Sequence, residues 1–245
     1  MRCASSEAAL LTEDDASALA STYIEAEFDE RHIAYQLALI QLQFIQVLDG
    51  ELTKARPSSL MTSASPAWKA ARAEFLARIS PPLVSMFSKD RMGAAYRTSF
   101  AGSLSSEEAG TLLSLLSSPE GRMYFHAKRL LGRQKAIESY VLATATSRSN
   151  LPELIPAQTV QADMEQLSRE SKEFGKFDKE VTDRLKALGE VVAWKKLQRL
   201  TTTAAFEAMK RLSEDGGFDD VKGSAHQVVN KAVNDFRASQ GTQKQ

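Results

Sequence analysis

Residues 104–122 read LSSEEAGTLLSLLSSPEGR, and this stretch contains more residues typical of helix starts and ends than any other in the chain. Ser105 followed three residues later by Glu108 is the pattern of a capping box, in which each side chain binds a backbone N–H at a helix start. Ser118 followed by Pro119 is typical of a second start, because proline fits the first helical position. The stretch therefore predicts a helix, a tight corner that includes Gly121, and another helix.

The sequence on both sides of this corner has the same helical character. Apolar residues recur at spacings of three and four, whereas alternating runs of β-branched and aromatic residues are nearly absent. With 43% hydrophobic residues in 245, the chain can bury a substantial core. We predict an all-α fold, a multi-helix bundle built as one domain or as two packed helical subdomains.

Proline-containing stretches divide the helical pattern. Pro81 and Pro82 predict the end or a kink of the helix that begins near Pro66, because proline lacks the N–H that a helix interior needs. Residues 150–156 read NLPELIP and form the best candidate for a boundary. The prediction is an N-terminal helical domain over 1–150 and C-terminal amphipathic helices over 151–245.

An apolar seam in the C-terminal part is the candidate interaction face. Its residues recur at spacings of 3, 4, 4, 3 and 4, which predicts one stripe on a long helix with charged residues outside it. The seam could form a coiled coil, an antiparallel hairpin or a contact with the first domain. Its members are Phe174, Phe177, Val181, Leu185, Leu188 and Val192.

The corner also carries a family resemblance. An aromatic pair, a Ser-Glu-Glu start, an apolar pair and a Ser-Pro-x-Gly-Arg corner occur in order, at Tyr96, Phe100, 106–108, 112–113 and 118–122. Over residues 82–140 the sequence resembles an uncharacterised bacterial family, domain of unknown function twenty fifty-nine, although Ala109, Leu115, Leu116 and Glu120 depart from its pattern. The resemblance implies an all-helical domain in an exported, periplasmic or secreted protein. It implies no activity and no catalytic residues.

The charge is balanced overall and uneven along the chain. Residues 1–56 carry 4 basic and 10 acidic groups, whereas residues 57–150 carry 12 and 6. The basic run Lys128, Arg129, Arg133 and Lys135 could touch phosphates or anionic lipids. With a formal net charge of zero, nucleic-acid binding is disfavoured, and we expect acidic N-terminal helices to pack beside basic middle ones.

The N-terminal residues and the cysteine content bear on localisation. Cys3 is the single cysteine, so no internal disulfide forms, and lipoprotein anchoring through Cys3 is a minor alternative because Met1 and Arg2 are not a lipobox. A signal peptide is absent from this sequence. Residues 32–48 are uncharged but contain four glutamines, which argues against a transmembrane segment.

Motifs for catalysis and cofactor binding are missing. The sequence has no nucleophile elbow, P-loop or dinucleotide glycine pattern. A metal site could use Glu25, Asp29 and His32, since residues three or four apart share a helix face, but di-metal bundles need a second copy of this motif. We therefore expect no catalytic residues, no cofactor and no metal.

These observations lead to three hypotheses about function. The first is a non-enzymatic helical protein of the bacterial envelope that binds a protein partner through an amphipathic face and could also form a homo-oligomer. The second is a helical carrier of an apolar or lipid-like ligand between helices. The third is a metal-dependent enzyme.

Overall fold

The fold is all-α, as predicted. The computed structural model of the chain describes residues 11–55, 58–146, 152–174, 183, 186–188, 190–214 and 217–242, and these residues contain no β-strand. The helices are α1 (Glu13–Glu27), α2 (Glu30–Ala55), α3 (Pro66–Met86), α4 (Lys89–Ala101), α5 (Ser106–Ser117), α6 (Pro119–Thr146), α7 (Ala157–Phe174), α8 (Val192–Glu214) and α9 (Gly217–Thr242).

The chain forms two compact units that are interleaved in sequence. Unit 1 comprises Met1–Glu30, Met86–Gln134 and Glu165–Arg211, and unit 2 comprises Arg31–Ser85, Lys135–Met164 and Leu212–Gln245. Each unit therefore takes segments from both sides of residue 150. The two units do not coincide with the division into 1–150 and 151–245, because long helices contribute to both.

The core of unit 1 is rich in aromatic rings. Tyr23 of α1 lies at its centre, with ring centroids 5.2 Å from Tyr96 and 5.4 Å from Phe125, both in edge-to-face geometry. The Tyr23 hydroxyl donates to the Thr201 hydroxyl of α8 at 3.3 Å. Trp194 of α8 is almost fully buried against Phe125. Unit 1 thus joins α1, α4, α6 and α8 through side chains that are far apart in sequence.

Unit 2 is held together by buried apolar residues and one buried ion pair. Asp49 of α2 accepts hydrogen bonds from the Arg72 guanidinium at 2.8 and 2.5 Å and from the Trp68 indole at 2.7 Å. The C-terminal helix α9 is amphipathic, as predicted for the helices after residue 151, and its buried residues are Ala225, Val228, Val229, Ala232, Val233 and Phe236. Asp49 therefore fixes α3 to α2 by a bidentate, charge-assisted contact.

The corner forms as the sequence predicts. Ser105 Oγ accepts the N–H of Glu108 at 3.2 Å, and the Glu108 carboxylate accepts the N–H of Ser105 at 2.9 Å. Ser118 ends α5, and its hydroxyl oxygen accepts the N–H of Gly121 at 3.0 Å as α6 begins at Pro119. These local bonds satisfy N–H groups that lack helical partners.

The proline pair at 81–82 does not end the helix. Pro81 and Pro82 lie inside α3, which continues to Met86, and a new helix starts at Lys89 with Ser88 as its N-cap. Leu83 and Met86 are buried, whereas Val84 between them is 54% exposed. Burial of Leu83 and Met86 in the last turn of α3 stabilises the helical conformation there. This offsets the free-energy cost of the two backbone N–H groups that the prolines lack.

Candidate functional site

The predicted interaction face is not one continuous stripe where the structure describes it. Phe177, Val181 and Leu185 lie outside the described residues, and so does the side chain of Phe174, the last residue of α7. Leu188 is buried in the core of unit 1, whereas Val192 is 76% exposed at the start of α8. Val191 between them is not helical, so a single helical seam does not run through both.

The carboxylates of the candidate metal motif are engaged by basic side chains. Glu25 pairs with Lys89, and Asp29 accepts from Arg133 at 2.7 and 3.1 Å. His32 lies half-buried near the start of α2. Across the described ranges no cluster of three or more His, Cys, Asp or Glu residues could hold a metal ion. Cation pairing at these carboxylates disfavours a metal there.

The basic strip of α6 binds the acidic end of α1, as the charge distribution predicts. Lys128 pairs with Glu27, and the Arg129 guanidinium donates to the Ala26 carbonyl at 2.8 Å. Arg133 also contacts Glu170 of α7 at 3.1 Å. These cations neutralise carboxylates that the α1 dipole disfavours at a helix C-terminus. These contacts engage Lys128, Arg129 and Arg133, three of the four cations that a phosphate or lipid headgroup could use.

An open cleft in unit 2 is the best candidate for a functional site. It has a volume of about 390 Å³ and lies between the end of α6 and the start of α7. Its walls are mainly apolar, with a few polar groups near the turn. The lining residues are Tyr140, Val141, Thr144, Pro152, Glu153, Ile155, Ala157, Val160, Gln161 and Met164.

The turn that closes one end of the cleft is held by Tyr140. Its phenol oxygen accepts the N–H of Ile155 at 3.0 Å and lies 3.4 Å from the carbonyl of the same residue. The Glu153 carboxylate accepts the N–H of Ala157 at 2.5 Å and caps the start of α7. The turn is therefore fixed to α6 through the backbone of Ile155 and to α7 through the side chain of Glu153.

Tyr35 of α2 supports both walls of the cleft. Its ring lies edge-on to Tyr140 of α6 at 5.6 Å, and its hydroxyl donates to the Asp163 carboxylate of α7 at 3.0 Å. Asp163 is buried and also accepts from Arg31 at 2.6 Å. Burial and the neighbouring carboxylate raise the pKa of Tyr35, which keeps its phenol protonated as a donor. The positions of α6 and α7 therefore depend on one buried cluster.

Apolar side chains stay exposed at the cleft. Val141 is 40% exposed, Met164 is 52% exposed, and Leu142 beside the cleft on α6 is 64% exposed. Glu153 is the one charged residue in the described part of the lining. The site can therefore bind apolar groups.

The residues that line the cleft are only partly predictable from the sequence. Apolar spacing on α6 predicts that both Ile137 and Val141 face the core; Ile137 is buried, together with Tyr140, whereas Val141 is 40% exposed. The buried face of α7 includes Asp163 rather than an apolar residue at that position, so hydrophobic periodicity could not reveal which side of α7 faces inward. The proline-containing stretch 150–156 is the one sequence feature that marks this place, and by itself it indicates a boundary rather than a cleft.

Two further observations concern membrane-spanning helices and similarity to known proteins. In the part of the chain that the structure describes, no helix combines the length and the apolar character required to cross a bilayer. Comparisons with protein families, with curated proteins and with solved structures find no match.

Proposed function

We propose that this chain is a non-enzymatic helical protein that acts by binding another protein, and that the α6–α7 cleft of unit 2 is where the partner binds. The single observation that supports this is the open apolar cleft, whose lining residues Val141 and Met164 remain about half exposed. Exposed apolar surface gathered in one place is typical of an interaction site. The proposal moves the interaction face from residues 174–192 to the cleft.

The openness of the cleft favours a protein over a small molecule. Small ligands are usually enclosed, with 70–90% or more of their surface buried. Here Met164 and Val141 stay open to solvent, and Leu142 extends the apolar surface beyond the cleft. One or two apolar side chains of a partner would fill such a site, while the rest of the partner covers its rim.

The cellular setting of this proposal is the bacterial envelope. It rests on the resemblance of residues 82–140 to a family of exported proteins, and it places the protein in the periplasm or outside the cell. Fractionation of the native host tests this point separately, because a chain found with the cytoplasm would remove the setting but leave the binding proposal intact.

Site-specific photocrosslinking in the native host tests the proposed function. A photoreactive phenylalanine derivative replaces Met164 in one variant and Lys69, an exposed residue on α3 of unit 2, in a matched control. We expect one discrete protein adduct from position 164, absent from position 69. The proposal fails if position 164 yields no adduct, or the same adducts as position 69.

A second function, a carrier of an apolar ligand, has one observation in its favour. The cleft volume of about 390 Å³ falls within the range of small-molecule sites. Native mass spectrometry of protein recovered from its host separates the two functions. A bound mass of a few hundred daltons that is lost on polar replacement of Val141 and Met164 would favour the carrier.

A further inference from the structure

The charge of the cleft selects among apolar partners. Among the described residues that line it none is a lysine or arginine, and Glu153 is the charged member of that set. A fatty acid or an anionic phospholipid would place a second negative charge near this carboxylate, which costs free energy. A ligand with a basic group beside its apolar part is complementary to the same feature.

The other polar groups of the cleft already have partners within the chain. The Tyr140 hydroxyl binds the backbone of Ile155, and the Thr144 hydroxyl donates to a backbone carbonyl of its own helix at 2.9 Å. The Glu153 carboxylate uses one oxygen for the N–H of Ala157. A carboxylate has two oxygens and about four acceptor sites, so Glu153 retains capacity to accept from a ligand. Its side chain belongs to an exposed residue at the rim.

We infer that the partner is a protein segment that inserts an apolar side chain between α6 and α7 and places a lysine or arginine against Glu153. The apolar walls, formed by Val141, Val160 and Met164 among others, receive the anchor, and the carboxylate fixes its orientation. This inference rests on the proposed function and adds the chemistry of the partner. Because the anchor and the basic residue must reach one cleft, we expect them to lie close together in the partner.

Peptide selection on the full chain tests the inference without knowledge of the partner. The probe is a phage-displayed library of random peptides, panned on the wild-type protein. Counter-selection uses the double variant Val141→Thr, Met164→Gln, which removes apolar surface with little change in side-chain size at two exposed positions. We expect enrichment of peptides with an apolar residue and a lysine or arginine close to it.

The selected basic peptide then measures the role of Glu153. Glu153→Gln removes the charge and keeps an oxygen that can accept the N–H of Ala157, so the turn is preserved. We expect about 2- to 5-fold weaker binding, the range of a solvent-exposed ion pair, and a smaller loss at high salt. Asp235→Asn, at an exposed carboxylate of α9 outside the cleft, is the control and should leave the affinity unchanged.

The outcomes separate the inference from the proposed function. Enriched peptides that are apolar but acidic or uncharged would overturn the basic-partner inference and leave protein binding at the cleft in place. Equal binding of the basic peptide to wild type and Glu153→Gln would overturn it as well. If no peptide prefers the wild type over the double variant, the cleft does not bind protein segments and both proposals fall.

Discussion

Replacement of Gly121 by alanine tests how tightly the corner is packed. A Cβ atom at Gly121 would lie 1.9 Å from the carbonyl oxygen of Leu115 and 2.9 Å from its carbonyl carbon. Real Cβ contacts essentially never fall below 3.0 Å, so α6 must move by at least 3.0 − 1.9 = 1.1 Å relative to α5. The obstacle is backbone and cannot rotate away. The same carbonyl also accepts from the Ser118 hydroxyl at 2.7 Å.

The magnitude follows from these contacts. Overpacking of a tight interior costs about 1–3 kcal/mol, and strain on the Leu115 hydrogen bonds adds about 1 kcal/mol. The higher helix propensity of alanine stabilises the variant by about 1 kcal/mol and offsets part of this loss. We therefore expect Gly121→Ala to lower the free energy of unfolding by about 1–3 kcal/mol, which guanidinium denaturation followed by circular dichroism would measure.

Gly110 provides the matched control. It lies in α5, two turns from the corner, and a Cβ atom there would meet nothing within 4 Å. Gly110→Ala should stabilise the protein by about 0.5–1 kcal/mol, because alanine loses less conformational entropy on folding. The two glycines thus respond with opposite sign. If both variants were equally stable, the close approach of α6 to Leu115 would be wrong.

Three further predictions concern caps and ion pairs. Ser105→Ala removes an N-cap and should lower the free energy of unfolding by about 1 kcal/mol; an unchanged denaturation midpoint would contradict the capping box. Glu108→Gln keeps the cap but removes the charge that pairs with Lys196 at 2.7 Å. The Lys196 ammonium, and after it the Ser105 N–H, lower the pKa of Glu108 below its usual value of 4.5. The ion pair therefore stabilises the fold above pH 4.5, and this contribution is lost as the pH falls through the lowered pKa. The variant should therefore be less stable by up to about 1 kcal/mol at pH 7 and equal to wild type in acid, as pH-dependent denaturation would show. Asp49→Ala removes the bidentate carboxylate from the buried Arg72 guanidinium and should cost about 3–5 kcal/mol in urea denaturation, whereas a loss below about 1 kcal/mol would mean that other groups of the chain or solvent satisfy Arg72.

Local chemistry made much of the fold predictable from sequence. The capping box at Ser105, the restart at Pro119 and the α1 start at Thr12, whose hydroxyl accepts the N–H of Asp15, depend on residues within one turn. The acidic and basic segments also indicated that α1 would contact α6. In each case the partners are identified by residue type and spacing alone.

Other features depend on tertiary contacts that no local pattern specifies. Helix α3 passes through Pro81 and Pro82 because Leu83 and Met86 have a core to enter, and Ser88 rather than the proline pair sets the next start. Asp163 is buried because Arg31 and Tyr35, over a hundred residues earlier, supply its hydrogen bonds. The cleft follows from that arrangement, so it could not be located from the sequence of α6 and α7.

The long-range bonds of α1 also determine when this helix becomes stable during synthesis. Its C-terminal end is held by Lys128, Arg129 and Arg133, and its Tyr23 hydroxyl by Thr201, 178 residues later in the chain. At roughly 5–20 residues per second, Thr201 is made about 10–35 s after Tyr23. Until then the apolar face of α1, including Leu19 and Tyr23, has no complete core to enter. The contact of the Tyr23 hydroxyl with Thr201 is therefore among the last that α1 can form, long after Tyr96 and Phe125 are available to pack against the same ring.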